Sequence, residues 1–271
     1  MKQLFTIPAD SNVETIQPVL AIRIGEHYCS YAIIDAAGSR LTKMAHYAAA
    51  DLNTGDLNEI FSANEELNRS FFNVLVCYDY PQCTIVPLEY YNANDASSIL
   101  QAMCGGAGDA SIISEVVPGW QMYNIYAVPK DIHEWMNNKF PAGKYWHHNS
   151  LAIKSISGAD ESGCISIDLG TDNFSLMAGR SNSFLLAQNF TYATPADVIY
   201  YLLKVSQQLN LEQGKVKLVL SGLIDKDSAL YKELYQYFLN IEFREAIWNI
   251  DANEFPAHFF TSLNDLALCV S

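Results

Sequence analysis

Positive charge is scarce in this chain. Sixteen Lys and Arg stand against thirty Asp and Glu among 271 residues, a formal net charge of −14, and no basic cluster interrupts the deficit. Nucleic acid and anionic membrane both need a local excess of cations to release counterions, so neither is expected as a partner. No apolar run approaches the roughly 18 residues of a spanning helix. The opening "MKQLFTIPADSNVETIQ" has one Lys and no apolar h-region. Neither a signal peptide nor an integral membrane segment is therefore expected, and the cytoplasm is the expected location. The cysteines Cys29, Cys77, Cys83, Cys104, Cys164 and Cys269 show no CxxC spacing and mostly sit in apolar stretches. They read as small buried hydrophobes in a reducing compartment, not as a disulfide framework.

Several catalytic signatures are also missing. GxxxxGK[ST], GxSxG and HExxH do not occur, which removes the P-loop, the nucleophile elbow and the common zinc-protease helix. "GGAGDAS" at 105–111 imitates GxGxxG but follows a helical pattern, and reads as a loop. His147 and His148 are adjacent, so on a helix or strand they point apart, and no further metal ligands accompany them.

What is present is apolar patterning. Half the residues are hydrophobic, enough for two cores, or for one core with a large insertion, in a chain of this length. "PVLAIRIGEHYCSYAIIDAAGSRLTKMAHYAA" (18–49) contains three strand-like runs with turns at Gly25-Glu26-His27 and Ala37-Gly38-Ser39. A helical pattern follows in "GDLNEIFSANEELNR" and a buried strand in "FFNVLVCYD". From residue 163 the order returns: strands "GCISIDLG", "DNFSLMAG" and "SFLLAQNF", then a helix "TPADVIYYLLKVSQQLN" with Thr194 as N-cap and Pro195 in its first turn. Strand "KVKLVLSG", helix "DKDSALYKELYQYFLN" and strand "IEFREAIW" complete a βββαβαβ half.

Setting Gly25 on Gly170 aligns the two meanders without a gap, and Ser30, Tyr47 and Ala48 then fall on Ser175, Tyr192 and Ala193. "VLVCY" (74–78) meets "LVLSG" (218–222) with a shift one residue shorter. Such self-similarity points to an internal duplication. Between the halves, residues 80–160 read as an insertion: "CTIVPLEYY", a helix "NDASSILQAM", a Gly-rich break, a hairpin turning at Pro118-Gly119, and helical "KDIHEWMNNKF" and "HHNSLAIKSI". Its aromatic residues Trp120, Tyr123, Tyr126, Trp135 and Trp146 read as core, with a binding hot spot as the alternative.

Two βββαβαβ halves, each with a glycine at its first hairpin, resemble the actin-like ATPase superfamily of actin, sugar kinases, heat-shock chaperones and cell-division and pilus-assembly proteins. The whole chain also looks like an uncharacterised Bacteroidetes family with that fold, through "TIVPLEYYNANDAS" and "YNIYAVP", and is distantly similar to pilus-assembly and type II secretion scaffolds. The resemblance implies an α/β chain of two ribonuclease H-like subdomains, at 1–160 and 161–271, with an α+β insertion in the first. It also implies ATP and Mg²⁺ as the ligands of a retained site, gripped by the backbone of both hairpins.

In that superfamily an Asp on each half's first strand serves the metal. Asp168-Leu169-Gly170-Thr171-Asp172 fits the pattern, with Asp168 as the metal residue, although an ordinary hairpin turn would read the same way. The first hairpin departs from it. Arg23 stands in the Asp position, and Gly25 is followed by Glu26-His27 where small hydroxyl residues are usual. A guanidinium cannot ligate Mg²⁺; Arg23 could bind a phosphate or pair with Asp168 and fill the site. The adenosine-side motif is reduced to Ser221-Gly222 followed by Leu223, or is a plain strand-to-helix turn capped by Asp225 or Asp227. No water-activating base is evident; Asp131 and Glu134 qualify by type alone. The expectation is a degenerate nucleotide site without a resident cofactor on a non-catalytic scaffold that binds an unidentified protein. An active ATPase or small-molecule kinase, using Asp168 for Mg²⁺, is the alternative.

Overall fold

The computed structural model describes residues 1–7, 16–106, 108–248 and 255–268. These form two compact units, Met1–Leu151 with Trp248–Ala252 and Leu263–Ser271, and Ala152–Ile247 with Asn253–Ser262. Cys269 lies outside the described residues.

The first unit is built on strands β1 (Lys2–Ile7), β2 (Val19–Gly25), β3 (Tyr28–Ile34), β4 (Leu41–Ala48), β5 (Asn73–Asp79) and, after the insertion, β9 (Lys144–His147), in the sheet order β1-β4-β3-β2-β5-β9. β5 runs parallel to β2, and β9 parallel to β5. A central strand is covered on both faces and needs apolar residues throughout; β2 is buried along its length except at Arg23, which is half-buried. Leu20, Ile22 and Ile24 point into one core with Leu57, Ile60 and Phe61 of helix α1 (Thr54–Ala63). Asn53 caps α1, its side chain accepting from the Gly55 and Asp56 amides while Asp56 accepts from the Asn53 amide.

The insertion carries β6 (Cys83–Pro87), α2 (Ala96–Cys104), β7 (Ala110–Val116) and β8 (Met122–Pro129), with strand order β6-β8-β7. Val86, Ala96, Leu100, Ile125 and Ala127 give it a small core of its own. Its β7–β8 hairpin turns at Pro118-Gly119, where the Trp120 amide donates to the Val117 carbonyl at 3.1 Å. Helix α3 (Lys130–Lys139) leads to β9, and α4 (His148–Ala152) follows.

The second unit has strands β10 (Cys164–Leu169), β11 (Asn173–Arg180), β12 (Ser183–Thr191), β13 (Lys217–Gly222) and β14 (Asn240–Phe243) in the order β12-β11-β10-β13-β14. This repeats β4-β3-β2-β5-β9 strand for strand. Helix α5 (Pro195–Gln208) begins at a capping box, the Asp197 carboxylate accepting from the Thr194 amide at 2.8 Å. Helix α6 (Ala229–Leu234) is capped by Ser228, whose hydroxyl accepts from the Tyr231 amide. Asp225 and Asp227, the caps expected from sequence, lie too far upstream for that bond. The last elements among the described residues are a 3₁₀ turn at Ala257–Phe260 and α7 (Thr261–Ala267).

The ladders refine the internal alignment. Arg23 pairs with Ser30 and Cys77, and Asp168 with Ser175 and Ser221, so the first two strands and the fourth match as the sequence suggests. The third strand does not. Cys29 faces Tyr47 whereas Phe174 faces Phe190, so Tyr47 corresponds to Phe190 and not to Tyr192. The two ladders shift at matching places, Ile33/Ile34 and Ala178/Gly179, so the slip comes from the connection alone, which is two residues longer between the paired Ile34 and Leu41 than between Gly179 and Phe184.

Candidate functional site

Each sheet carries a row of polar side chains across buried strands at the same register. In the second unit the row is Asn189, Ser175, Asp168 and Ser221 on four adjacent strands. In the first it is His46, Ser30 and Arg23, continued by Asp79 two residues beyond Cys77 on the same face of β5. Both rows lie beside the first hairpin of their half.

In the second unit β10 ends one residue before Gly170, whose amide donates to the Asn173 carbonyl at 2.8 Å. A Cβ there would stand 2.6 Å from the Asn173 side-chain Oδ1 and 3.1 Å from the Asn173 carbonyl oxygen, so the turn is tight at this position. Thr171 and Asp172 form an exposed tip, and the Tyr192 hydroxyl donates to the Gly170 carbonyl at 2.8 Å from behind. Asp168 is half-buried and accepts from the Ser221 hydroxyl at 2.8 Å. Gly222 has φ +81°, and an added Cβ would fall 2.2 Å from the Leu169 carbonyl oxygen, which also accepts from the Leu223 amide at 2.7 Å. The demand for glycine at 222 therefore arises within the sheet, where β13 crosses the end of β10. Just beyond lies a cavity of about 730 Å³ lined by Asp225, Asp227 and Glu245 together with Lys226, Ser228 and His258. His258 donates through Nε2 to the Ile224 carbonyl at 2.7 Å, and burial holds its pKa below the ordinary value. Lys226 stands over the Phe243 ring at 5.1 Å.

The first hairpin is built differently. Arg23 Nη2 donates to Asp79 Oδ2 at 2.8 Å, the Tyr28 hydroxyl donates to the same oxygen, and the guanidinium lies 5.4 Å from the centre of the Tyr28 ring. That ring covers Gly25, where a Cβ would meet Tyr28 Cε1 at 2.5 Å. Tyr28 stacks on His46, which stacks in turn on Phe5 of β1 and shares a 2.6 Å hydrogen bond with the Ser30 hydroxyl. Burial pushes the Asp79 carboxyl up more than any single neighbour pulls it down, but the Arg23 charge, the nearby His148 and His147 and the Tyr28 hydrogen bond together outweigh it and hold the group far below the carboxylate range. The same burial drives the Tyr28 phenol well above its ordinary value and, with the Arg23 charge, lowers His46 to about 4. At neutral pH the cluster is one cation, one anion, a neutral imidazole and a phenol. The Glu26 and His27 carbonyls of the hairpin tip accept from the Leu52 and Ala49 amides, both at 2.8 Å.

Arg23 thus has a partner within its own unit that sequence reasoning did not name. The signal was available: a charge inside the apolar run "LAIRIG" needs a counterion at the same end of a neighbouring strand, and "FFNVLVCYD" ends in Asp79. Asp168 lies in the second unit. Asp131 and Glu134, considered for a base, are exposed on α3, and Glu134 pairs with Lys130 at 4.0 Å.

His147, itself fully buried, belongs to a second network. Its Nε2 donates to the Tyr80 carbonyl at 2.9 Å, and its Nδ1 accepts from the Asn149 amide at 3.1 Å. Its own amide donates to Glu115 Oε1 at 2.8 Å, and the Tyr126 hydroxyl donates to Glu115 Oε2 at 3.1 Å. This fastens β7 of the insertion to the end of β9. Among the described residues no cluster of His, Cys, Asp and Glu has the makings of a metal site. Among the described helices none is long and apolar enough to cross a membrane.

The model of a family described as "Protein of unknown function (DUF3822)" matches residues 10–241. No curated protein matches the chain. A crystal structure from Bacteroides thetaiotaomicron, described as a protein with actin-like ATPase fold and unknown function, is similar at 20% identity with a TM-score of 0.73, over 87% of this chain and 93% of that one. A chain of the PilM–PilN type IV pilus biogenesis complex is similar at 11% identity with a TM-score of 0.59, over 95% of this chain and 99% of that one. The fold is therefore that of the actin-like ATPases, with two ribonuclease H-like βββαβαβ subdomains and an α+β insertion in the first.

Proposed function

The chain belongs to the DUF3822 family, and we propose that it is a non-catalytic interaction protein whose actin-like nucleotide site is degenerate. The observation that carries this reading is the Arg23–Asp79–Tyr28 cluster of the first hairpin. In a hydrolysing member of the superfamily that position would offer a carboxylate to a hydrated Mg²⁺; here it offers a guanidinium already neutralised by Asp79, under a tyrosine ring that covers the hairpin glycine. A metal finds no oxygen ligand at Arg23, and a phosphate approaching it must compete with a 2.8 Å ion pair.

The second unit supports the same reading less strongly. The cavity past Gly222 at the end of β13 carries Asp225, Asp227 and Glu245 against Lys226, a balance that repels a triphosphate. The similar chain of the PilM–PilN type IV pilus biogenesis complex belongs to a protein–protein assembly, which fits a binding role for this chain.

An ATP-binding reading is favoured by the intact Asp168–Gly170 turn, where the Asp168 carboxylate would hold Mg²⁺ and the exposed hairpin tip would meet a phosphate. Calorimetric titration with ATP, with and without Mg²⁺, on the wild type and on Asp168→Ala separates the two. Silence at millimolar nucleotide is expected. Micromolar binding that needs both Mg²⁺ and Asp168 would overturn the proposal.

A further inference from the structure

The first sheet has a second end, away from its hairpin. β5 runs parallel to β2, pairing Asn73 with Val19 at one end and Asp79 with Gly25 at the other. The Arg23 cluster occupies the Gly25 end. At the Asn73 end, the link from the 3₁₀ turn Glu65–Asn68 into β5 and the link from α3 into β9 border one groove of about 560 Å³. That volume falls within the roughly 300–1,000 Å³ of ligand sites. Leu67, Val74 and Phe140 line it as buried or half-buried apolar side chains. Phe72 stands 55% exposed beside them, although its amide is fixed to the Pro18 carbonyl at 2.8 Å. A large ring held in water by a fixed backbone is apolar surface available to a partner.

Arg69 and Lys139 give the groove its charge. The Arg69 guanidinium lies 5.4 Å from the centre of the Phe71 ring, and Lys139 Nζ lies 5.1 Å from that of Phe61, so both cations rest on aromatic faces. Lys139 donates one N–H to Asn68 Oδ1 at 2.9 Å, a neutral acceptor that leaves its charge uncancelled. Arg23, Lys43 and Lys130 of the same unit each meet a carboxylate, at Asp79, Glu66 and Glu134. Among the described residues no carboxylate pairs with Arg69 or Lys139, and none lines the groove. Lys144 follows directly, exposed at the start of β9 beside Leu75. In a chain with thirty acids to sixteen bases, segments 67–74 and 139–144 hold three cations and no anion. The fold thus gathers positive charge that the sequence keeps apart, and an anionic group is what would neutralise it.

We propose, resting on the interaction role above, that this groove binds a short acidic segment of a partner protein, one that carries Asp or Glu beside an aromatic or aliphatic residue. The carboxylate meets Arg69 and Lys139, and the apolar side chain covers Phe72 and Phe140. Nucleic acid fits the surface poorly, because it is held against salt by many phosphate contacts and only three cations stand here.

The test is selection of a random short-peptide display library on the purified full chain, followed by fluorescence anisotropy with the enriched peptides. Enriched sequences should place Asp or Glu beside an aromatic or aliphatic residue. Their binding should weaken roughly tenfold or more in Arg69→Glu/Lys139→Glu, in Phe72→Ser and on addition of salt. All three side chains are exposed, so the circular dichroism should stay that of the wild type. Should the charge-reversed pair fail to fold, Arg69→Gln alone decides. The proposal is overturned by a library that enriches nothing, by enriched sequences without acids, or by acidic peptides that the folded variants hold equally tightly. An oligonucleotide that binds through Arg69 and Lys139 more tightly than any peptide overturns it as well. Peptides held elsewhere on the chain remove the groove and leave the interaction role standing. ATP binding that needs Asp168, with the peptides still held at Arg69 and Lys139, removes the degenerate-site reading and leaves the groove.

Discussion

Glu115 ties the insertion to β9, and its environment gives the tie a definite pH dependence. Burial pushes its carboxyl up to about 7 from an ordinary 4.5, against hydrogen bonds from the Ser150 hydroxyl, the His147 amide and the Tyr126 hydroxyl that pull it down. A carboxyl whose pKa rises on folding binds more protons in the native state. Its contribution to stability is therefore full below about pH 4.5 and lost as pH climbs through 7. The shift of about 2.5 pH units corresponds to about 3 kcal/mol between pH 4.5 and 8, of which about 0.8 kcal/mol falls between pH 6.5 and 8. His46 and His147, both lowered to about 4 by burial, act with the opposite sign at lower pH, so the total curve mixes the two. The difference between wild type and Glu115→Gln cancels the histidines. Glutamine can still accept from the His147 amide and donate to Ser150 or Tyr126. Urea unfolding followed by tryptophan fluorescence at each pH should show the wild type losing stability relative to the variant as pH rises. A difference flat between pH 5 and 8, or of opposite slope, refutes the argument.

Other expectations follow from the two hairpins and the core. Arg23→Ala and Asp79→Ala should each cost about 3 kcal/mol, because each strands a largely buried charge, while the double variant should cost clearly less than their sum; an additive cycle in urea unfolding would show that the pair is not coupled. Gly222→Ala should lose at least about 2 kcal/mol, since φ +81° and the Leu169 carbonyl both oppose a side chain; a midpoint unchanged in denaturant would mean that β13 can shift. Cys29, buried with its thiol pushed up to about 12, should resist Ellman's reagent at pH 8 until the chain unfolds. Rapid native-state labelling mapped to Cys29 by mass spectrometry would contradict its placement.

Periodicity carried most of the strands and helices because buried strands must be apolar and helical faces must recur, and both demands act within a few residues. The βββαβαβ order of the second half, α5 with its Thr194 cap, and the β7–β8 hairpin at Pro118-Gly119 were all legible in this way. β1 was not, since "KQLFTI" is an exposed edge strand with little apolar contrast, and α7 was missed as well. The site was partly legible: Asp168 and Gly170 stand at the end of β10, and Arg23 and Gly25 at the end of β2, as local patterning placed them.

Tertiary structure decided the partners. A charge in a buried strand announces that it needs a counterion, but Asp79 lies far along the chain from Arg23, and only the parallel β2–β5 register sets them 2.8 Å apart. The match of Tyr47 with Phe190 in place of Tyr192 also depended on a connection two residues longer in the first half, which no gapless alignment contains. That β12 ends its sheet while β4 is covered by β1 follows from where a strand at the start of the chain lands. Local sequence determines which segments can form strands; which neighbour satisfies each edge and each buried charge is settled by long-range pairing, because those bonds form only once the sheet has assembled.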